Sequence, residues 1–326
     1  MVRSYVVVLK ANTTKKRSSV FRHALDISIV KSHVTYFYSR LMSVAIHPTA
    51  VVSPTAVLGD DVVIGPFCVV EDNAHLGDNC VLESHAVVKS NAILGKSNHL
   101  FEGAVLGGLP QHVSMPERTG LLIVGDNNTI RENVTIHRGL NDDSSTVIGN
   151  NNLLMVGSHV AHDCQLGDRV IMANGANLGG FVSLGDRAYV SATVAIHQFC
   201  RVGCLAMIGG HARIVKDVPP YVTIDGQTSY VVGLNLVGLR RSGFKTAEIS
   251  QLKAAYRLIY RSGLSWVQTV SELELQFPEG AASAFHTFFC GGTRGFTPER
   301  RLPRKATIKM VTSDEKPALQ TRSKAG

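Results

Sequence analysis

Four histidines cluster within one part of this 326-residue chain. They are His137, His159, His162 and His197, with Asp163 directly after the third and Gln198 after the fourth. A neutral imidazole can take a proton from a substrate as a general base, and three converging imidazoles can bind zinc. A lone histidine of this kind is more often a solvated corner residue, but four in a short stretch favour a functional site.

These histidines lie within a stretch of sequence that repeats every six residues. Every sixth residue from 46 to 214 is a branched aliphatic residue or methionine, except for His112, Arg118 and Asp142, and the residue two positions earlier is usually Ala or Cys. Helices place apolar residues every three or four positions and half-buried strands every two, so neither fits. Hexads with one large and one small inward residue predict a parallel β-helix.

Such hexads resemble those of the hexapeptide acyltransferases, a family that winds as a left-handed triangular prism. The resemblance implies three hexads per coil, so that equivalent residues of successive coils stack at about the 4.8 Å spacing of paired strands. His162, Gly180 and Gln198 then share one column, with a residue that lacks a side chain in the middle. A gap beside an imidazole, next to a backbone N–H, is a suitable place for a substrate carbonyl.

The hexad rhythm lapses twice, at residues 107–121 and 139–146. Segments expelled from a rigid repeat are not needed for stacking, and we expect these two loops to be functional. The predicted β-helix covers residues 46–218 and ends at Pro219-Pro220.

A helical period follows in the predicted C-terminal domain, residues 219–296. Apolar residues recur at helical spacing from Ile249 to Ile259, residues 265–268 resemble a capping box, and residues 281–289 predict a last helix. These helices are expected to cover the open end of the β-helix. An equally open role is the docking of an acidic carrier protein on a basic surface. That surface would be formed by Arg240, Arg241, Lys245, Arg257 and Arg261.

The net charge of +8 comes from the two ends of the chain. Residues 1–45 contain eight Lys or Arg against Asp26 alone, residues 297–326 contain eight against three acids, and the body carries a net −4. The body has no basic aromatic face of the kind that binds nucleic acid.

Residues 1–45 predict a mitochondrial transit peptide, with a disordered basic extension as the alternative. The apolar run within them is too short for a membrane span. The last segment predicts a disordered tail.

The six cysteines contain no CxxC pair. Four of them, Cys68, Cys80, Cys164 and Cys200, fall on the small inward position of the hexad. We therefore expect buried free thiols, no disulfide and no metal site, in a reducing compartment such as the mitochondrial matrix.

Six segments together resemble the UDP-N-acetylglucosamine 3-O-acyltransferase family of the lipid A pathway. They are residues 130–139, 159–164, 195–200, 216–222, 238–244 and 255–263. The resemblance extends over residues 46–296, and with the basic N-terminal segment it suggests a plant or organellar type. It implies a homotrimer that needs no cofactor and moves an (R)-3-hydroxyacyl group from acyl-carrier protein to the sugar 3-hydroxyl.

The resemblance also implies a role for individual residues. His162 is the expected general base, Asp163 its orienting acid, and the Gly180 N–H the donor to the oxyanion. Neighbours on a strand point to opposite faces unless a corner intervenes, so contact between His162 and Asp163 needs such a corner. The expected substrate-binding residues, in a cleft between subunits that the Gln111 loop crosses, are Gln111, His137, His159, His197, Gln198, Asn235 and Arg241.

Several positions depart from the family pattern. They are His112, Ser114, Phe181, Thr228, Val237 and Ser242. The length of the acyl chain and the affinity for the nucleotide are therefore not implied by the resemblance.

Three alternatives remain open on the sequence. A γ-class carbonic anhydrase would bind zinc through His159, His162 and His197 across a trimer interface. The related N-acyltransferase of the same pathway shares the hexads, but no additional N-terminal uridine-binding domain is visible. A non-catalytic trimeric scaffold would require an empty cleft.

Overall fold

The computed structural model describes residues 44–300. Residues 1–43 of the predicted transit peptide and residues 301–326 of the predicted tail lie outside the described residues, whereas Ala45 already belongs to the first strand. No helix of the described part is long and apolar enough to cross a membrane.

Short strands follow one another along most of the described chain. In chain order they are β1 (Ala45–Ile46), β2 (Val51–Val52), β3 (Val57–Leu58), β4 (Val63–Ile64), β5 (Val69–Val70), β6 (His75–Leu76), β7 (Val81–Leu82), β8 (Val87–Val88), β9 (Ala92–Leu94), β10 (His99–Leu100), β11 (Val105–Gly108), β12 (Leu121–Val124), β13 (Thr129–Ile130), β14 (Thr135–His137), β15 (Ser145–Ile148), β16 (Leu153–Leu154), β17 (His159–Val160), β18 (Gln165–Leu166), β19 (Ile171–Met172), β20 (Asn177–Leu178), β21 (Ser183–Leu184), β22 (Tyr189–Val190), β23 (Ala195–Ile196), β24 (Arg201–Val202), β25 (Met207–Ile208), β26 (Arg213–Ile214), β27 (Val222–Ile224) and β28 (Val231–Leu234). As far as β26 they cycle through three parallel sheets, so that each strand pairs with the third one along the chain, as β1 does with β4.

The two predicted loops are whole hexads added to single coils. Ile46 pairs with Ile64 in a regular coil, but Leu100 pairs with Ile130, which makes that coil two hexads longer. Ile130 pairs with Leu154, a lengthening of one hexad. An insertion of complete hexads returns every anchor to its own column, and this is why the period resumes in phase after each loop.

The interior of the prism is filled by the large and small hexad positions. Ile64, Leu82 and Leu100 are fully buried, and so are the four inward cysteines. The predicted burial of these four thiols is confirmed, whereas Cys204 is half-buried and Cys290 is exposed. Burial raises the pKa of Cys164 to about 12 and that of Cys200 to about 11, so both thiols stay protonated.

The corners of the coils use residues in the left-handed region of φ. Many are Asn or Asp, such as Asn73, Asn79 and Asn127, whose short polar side chains tolerate that conformation. Asp163, Phe181 and Phe199 occupy such corners with φ of 59°, 59° and 66°. A phenylalanine in this region is uncommon, and besides Phe181 and Phe199 the described chain has Phe67 at such a corner.

The β-helix continues beyond the point where the sequence predicts its end. Strand β27 lies after Pro219-Pro220 and pairs in parallel with β25, and β28 then adds an antiparallel strand. The prolines fit because they lie in the turn before β27 rather than within a paired strand.

Four helices follow within the described residues: α1 (Leu236–Arg241), α2 (Thr246–Arg261), α3 (Trp266–Gln276) and α4 (Ser283–Cys290). The predicted stripe on α2 and the capping box before α3 are both present, with Ser265 N–H donating to Gln268 Oε1 at 3.0 Å. The helices form a second core together with Leu205 and Tyr221 of the β-helix.

The first residues of the predicted disordered tail are folded. Thr297 is buried and its N–H donates to the Asp217 carbonyl at 2.8 Å. Glu299 pairs with Arg261 at 2.6 Å and accepts from the Tyr256 hydroxyl at 2.7 Å. Composition suggested a tail from residue 297 because the basic run dominates it, but these contacts extend the folded body to at least residue 300.

Candidate active site

Three residues of the site are stacked by the rungs of the β-helix. The Phe181 N–H donates to the His162 carbonyl at 3.1 Å, and the Phe199 N–H donates to the Gly180 carbonyl at 3.0 Å. His162, Gly180 and Gln198 therefore occupy one corner position on successive coils, as the sequence predicted.

Glycine is required in the middle of this column. A Cβ atom at Gly180 would lie 2.7 Å from Cε1 and 2.8 Å from Nε2 of His162. The missing side chain lets the imidazole lie against the Gly180 backbone. The Gly180 N–H has no acceptor among the described residues, and we call this position the open rung.

The His162 ring contacts its neighbour in sequence. His162 Nδ1 lies 2.7 Å from Asp163 Oδ2, and both side chains are more than nine-tenths buried. Asp163 adopts the left-handed corner conformation, which turns its side chain back toward His162. An ionised carboxylate only accepts hydrogen bonds, so Nδ1 carries the hydrogen and Nε2 keeps a lone pair for a substrate proton.

His137 and His159 form a second pair beside the base. Their rings meet edge to face at 4.8 Å, and His159 Nδ1 lies 2.7 Å from the Thr135 hydroxyl. Burial lowers the pKa of His137 to about 4, with help from the neighbouring His159 and His162, and burial also lowers the pKa of His159. Both rings are therefore neutral near pH 7 and suit hydrogen bonding rather than charge pairing with a phosphate.

The remaining predicted contacts near the base are exposed. His197 Nδ1 lies 3.1 Å from the Gln198 carbonyl, and Gln198 and Gln111 point to the surface. His112 lies over the base of its own chain, with ring centroids 5.9 Å apart. Within one chain the first loop therefore lies beside the base, and its reach to a neighbouring subunit, which the resemblance implied, stays a prediction.

Asn235 and Arg241 lie apart from the histidines within one chain. The Asn235 side chain accepts from the Gly238 N–H and donates to the Leu205 carbonyl, both at 2.9 Å, and so caps α1. Arg241 is exposed at the end of that helix. Their predicted contact with a nucleotide would have to be made at a surface that one chain alone does not place beside His162.

An aromatic pair that the sequence reasoning did not assign borders the site. Phe181 meets the His162 ring edge to face at 5.3 Å and stacks on Phe199 at 4.9 Å. Together with Asp163 these residues form the column next to the base, so stepping along the sequence by one coil would have found them.

A metal site and a separate cavity are the two alternatives to compare with this site. Within the described part of one chain, no three His, Cys, Asp or Glu side chains converge as metal ligands. A cavity of about 690 Å³ lies between the β-helix and α4, lined by residues that include Gly185, Arg201 and Phe288 but none of the histidines.

Family models match both parts of the fold. The bacterial transferase hexapeptide model matches residues 55–90 and 145–180, and domain 2 of UDP N-acetylglucosamine O-acyltransferase matches residues 217–297.

Curated relatives are named acyl-[acyl-carrier-protein]–UDP-N-acetylglucosamine O-acyltransferase. The one from Verminephrobacter eiseniae is 44% identical over 77% of this chain and 98% of its own length. The one from Ectopseudomonas mendocina is 45% identical over 78% and 99%. The one from Gloeothece citriformis is 47% identical, and the chain spans 65% of its length.

Solved structures show the same architecture. The UDP-N-acetylglucosamine acyltransferase of Francisella novicida superposes with a TM-score of 0.76 at 36% identity, over 78% of this chain and 94% of that one. The Arabidopsis enzyme gives 0.68 at 35% identity, over 77% and 99%. The predicted left-handed parallel β-helix with a C-terminal helical region is confirmed.

Proposed function

The chain belongs to the UDP-N-acetylglucosamine O-acyltransferase family, and we propose that it transfers an (R)-3-hydroxyacyl group from acyl-carrier protein to the 3-hydroxyl of UDP-N-acetylglucosamine, the first step of lipid A biosynthesis. The observation that carries this proposal is the His162–Asp163 pair facing the open rung at Gly180. A base, its orienting acid and a free N–H lie within one coil of each other, as acyl transfer requires.

The geometry supports a direct transfer. Nε2 of His162 takes the proton of the 3-hydroxyl while that oxygen attacks the thioester carbonyl carbon. The Gly180 N–H donates to the oxygen that becomes negative. The carbon–sulfur bond then breaks, and His162 gives the proton to the departing carrier thiolate, which leaves as the thiol while the base returns to its neutral form. General-base help is worth about 10²–10⁴-fold and one oxyanion donor about 10²–10³-fold.

The test is a transfer assay with the purified full chain, UDP-N-acetylglucosamine and 3-hydroxyacyl carrier proteins of several lengths. We expect an ester at the 3-oxygen, and a loss of at least about 10²-fold in kcat for His162→Ala. His75→Ala, an exposed histidine of an early coil, is the control and should keep full activity. Undiminished turnover by His162→Ala would assign the base to another residue.

We also propose that the protein acts as a homotrimer. Val57, Ile93 and Ile123 occupy one register of a single sheet and are 51%, 38% and 36% exposed in the isolated chain. Apolar surface of this kind is commonly covered by a partner subunit. Sedimentation equilibrium should give three times the mass of the chain, and a monomeric mass would contradict the proposal.

The acidic carrier protein is proposed to dock on the basic face of α1 and α2. Arg240, Arg241, Lys245 and Arg257 are exposed. Arg261 is a weaker candidate because Glu299 already pairs with it. Reversing Arg257 to Glu should raise the KM for acyl-carrier protein, with the KM for the sugar nucleotide as the internal control.

For the location of the protein we propose the mitochondrial matrix, as a plant or organellar type of the family. The support is the composition of residues 1–45, rich in Arg, Lys and Ser with one acid. Residues 1–45 fused to a fluorescent protein should enter mitochondria. A fusion with its Arg and Lys residues replaced by Gln is the control, and a diffuse signal from the unmodified fusion would reject the proposal.

A further inference from the structure

The rungs at the site column follow a regular pattern that Asp163 breaks. At a regular corner, the backbone N–H donates to the carbonyl one coil and one residue earlier, as Phe181 does to His162 and Arg187 does to Asp168. The Asp163 N–H instead donates to the hydroxyl of Thr146 at 2.7 Å.

The second loop explains this exception. The carbonyl in the regular position belongs to Ser144, which lies at the end of that loop and accepts from the Leu121 N–H at 3.0 Å. The backbone N–H of Asp163 therefore lacks its usual carbonyl acceptor in the preceding coil. The Thr146 hydroxyl takes the place of that carbonyl.

Thr146 is also unusual for its column. It is fully buried, and the equivalent residues of the following coils are Cys164, Val182 and Cys200, which are apolar or only weakly polar. A hydroxyl in such a core destabilises the fold unless it is hydrogen-bonded. Its partner here is the backbone of Asp163.

The same loop also holds the carboxylate of Asp163. The Leu140 N–H donates to Oδ2 at 3.1 Å, the oxygen that faces His162 Nδ1. The loop is fixed in turn, because the Gly120 N–H donates to the Gly139 carbonyl at 3.0 Å.

We propose that Thr146 is a positioning residue that holds Asp163 in its corner conformation and so aims the carboxylate at His162. The hydroxyl touches neither the imidazole nor the open rung, and it acts through the Asp163 backbone. Without it, the buried amide of Asp163 loses its acceptor, and a corner with positive φ loses one of the bonds that maintain it. The kinetic consequence rests on the proposed acyl transfer, but the structural one does not.

The kinetic test compares Thr146→Val, which removes the hydroxyl at constant shape, with Thr146→Ser, which keeps it. We expect Thr146→Val to lower kcat by about 10-fold to 10²-fold at a nearly constant KM for the sugar nucleotide, and Thr146→Ser to retain most of the activity. In an Asp163→Ala background, Thr146→Val should have no further effect, because the residue through which it acts is gone. Equal losses in both backgrounds would overturn the proposal.

A matched control separates positioning from stability. Asn152 Oδ1 accepts from the buried Val170 N–H at 2.6 Å, which is the same kind of rung bond in another column. Asn152→Leu should lower Tm but leave kcat unchanged. A loss of kcat as large as that of Thr146→Val would reduce the role of Thr146 to general stability.

A second readout needs no turnover. In protein labelled with ¹⁵N-histidine, the Nδ1–H of His162 bonded to Asp163 should give a downfield proton resonance in the wild type and in Thr146→Ser. Its assignment is checked by its absence from His162→Ala. The resonance should disappear in Thr146→Val, and its persistence there would refute the positioning role even if the wild type failed to transfer acyl groups.

Discussion

At the scale of single residues, contact between His162 and Asp163 depends on one backbone angle. Neighbours on a strand face opposite ways, but the positive φ of Asp163 brings its carboxylate to 2.7 Å from the ring. The function of the pair thus depends on an uncommon local conformation that the fold maintains.

Asp163→Asn should inactivate the site while preserving its shape. The Leu140 N–H keeps the carboxamide oxygen in the place of Oδ2, where it still accepts from Nδ1–H, but the negative charge that stabilises the imidazolium formed during transfer is lost. We expect a loss of about 10²-fold or more in kcat, measured at saturation with both substrates. An unchanged Tm would show that the loss is chemical, and full activity would exclude a role for the charge of Asp163.

Gly180→Ala should displace the base. The new Cβ would overlap the His162 ring, which is held from its other side by Asp163. We expect kcat to fall by about 10²-fold. Gly210→Ala is the matched control, because its Cβ would come no closer than 3.4 Å to the Ala192 carbonyl oxygen. Similar activities of the two variants would contradict the proposed open rung.

The depressed pKa of His137 predicts a dependence of stability on pH. Its pKa is about 4 in the folded chain and about 6.5 when unfolded, so the unfolded chain binds more protons between these values. The contribution of neutral His137 to the free energy of unfolding is complete above about pH 6.5 and is lost as pH falls toward 4. The drop in Tm between pH 7 and pH 5 should be smaller for His137→Gln than for the wild type, and an equal drop would rule out the assignment.

At the scale of elements, the two loops behave as one unit attached to the site. Leu121 donates to Ser144, Gly139 donates to Leu121, and Leu140 donates to Asp163. Because each loop adds whole hexads, the coils on both sides keep their register while the loops cover one corner. The solenoid supplies a rigid base, and the loops supply contacts that a regular coil lacks.

Gly120→Ala should separate the loops. Its Cβ would fall deep within the van der Waals radius of the Ser144 carbonyl oxygen. We expect lower kcat together with faster proteolytic cleavage between residues 109 and 144, whereas Gly210→Ala should show neither. Gel electrophoresis measures the rate of cleavage. Cleavage of Gly120→Ala at the wild-type rate would indicate that other contacts join the loops.

At the scale of the whole molecule, the proposed trimer would bring residues of different subunits into one site. His112 lies over His162 of the same chain, while the side-chain hydrogen bonds of Asn235 join it to α1 and Leu205 rather than to any described histidine, and Arg241 is exposed. A nucleotide site that joins both groups would therefore combine two subunits.

Mixed trimers test this arrangement. Co-expressed His162→Ala and Arg241→Ala chains should regain activity, because some sites would receive an intact residue from each chain. Co-expressed His162→Ala and Gln111→Ala chains should remain inactive if the loop serves its own subunit. The transfer assay measures both pairs, and the opposite pattern would place the loop, rather than Arg241, across the interface.

Sequence alone determined the β-helix and the column of the site. A strict hexad period predicts a parallel β-helix, and stepping by the three-hexad coil that the family resemblance implies brings His162, Gly180 and Gln198 together. The sequence did not predict where the β-helix and the folded body end, because a pair of prolines and a basic composition do not reveal long-range contacts. Strand β27 and the ordered Thr297 are held by such contacts.

Tertiary structure decided how the site is held. The period places Asp163 next to His162 but does not give its corner angle, and it marks residues 139–146 as irregular without showing where their amides point. The Thr146 hydroxyl and the Leu140 N–H reach Asp163 because the lengthened coil folds back over it. These bonds depend on distances between coils, which a one-dimensional period does not contain.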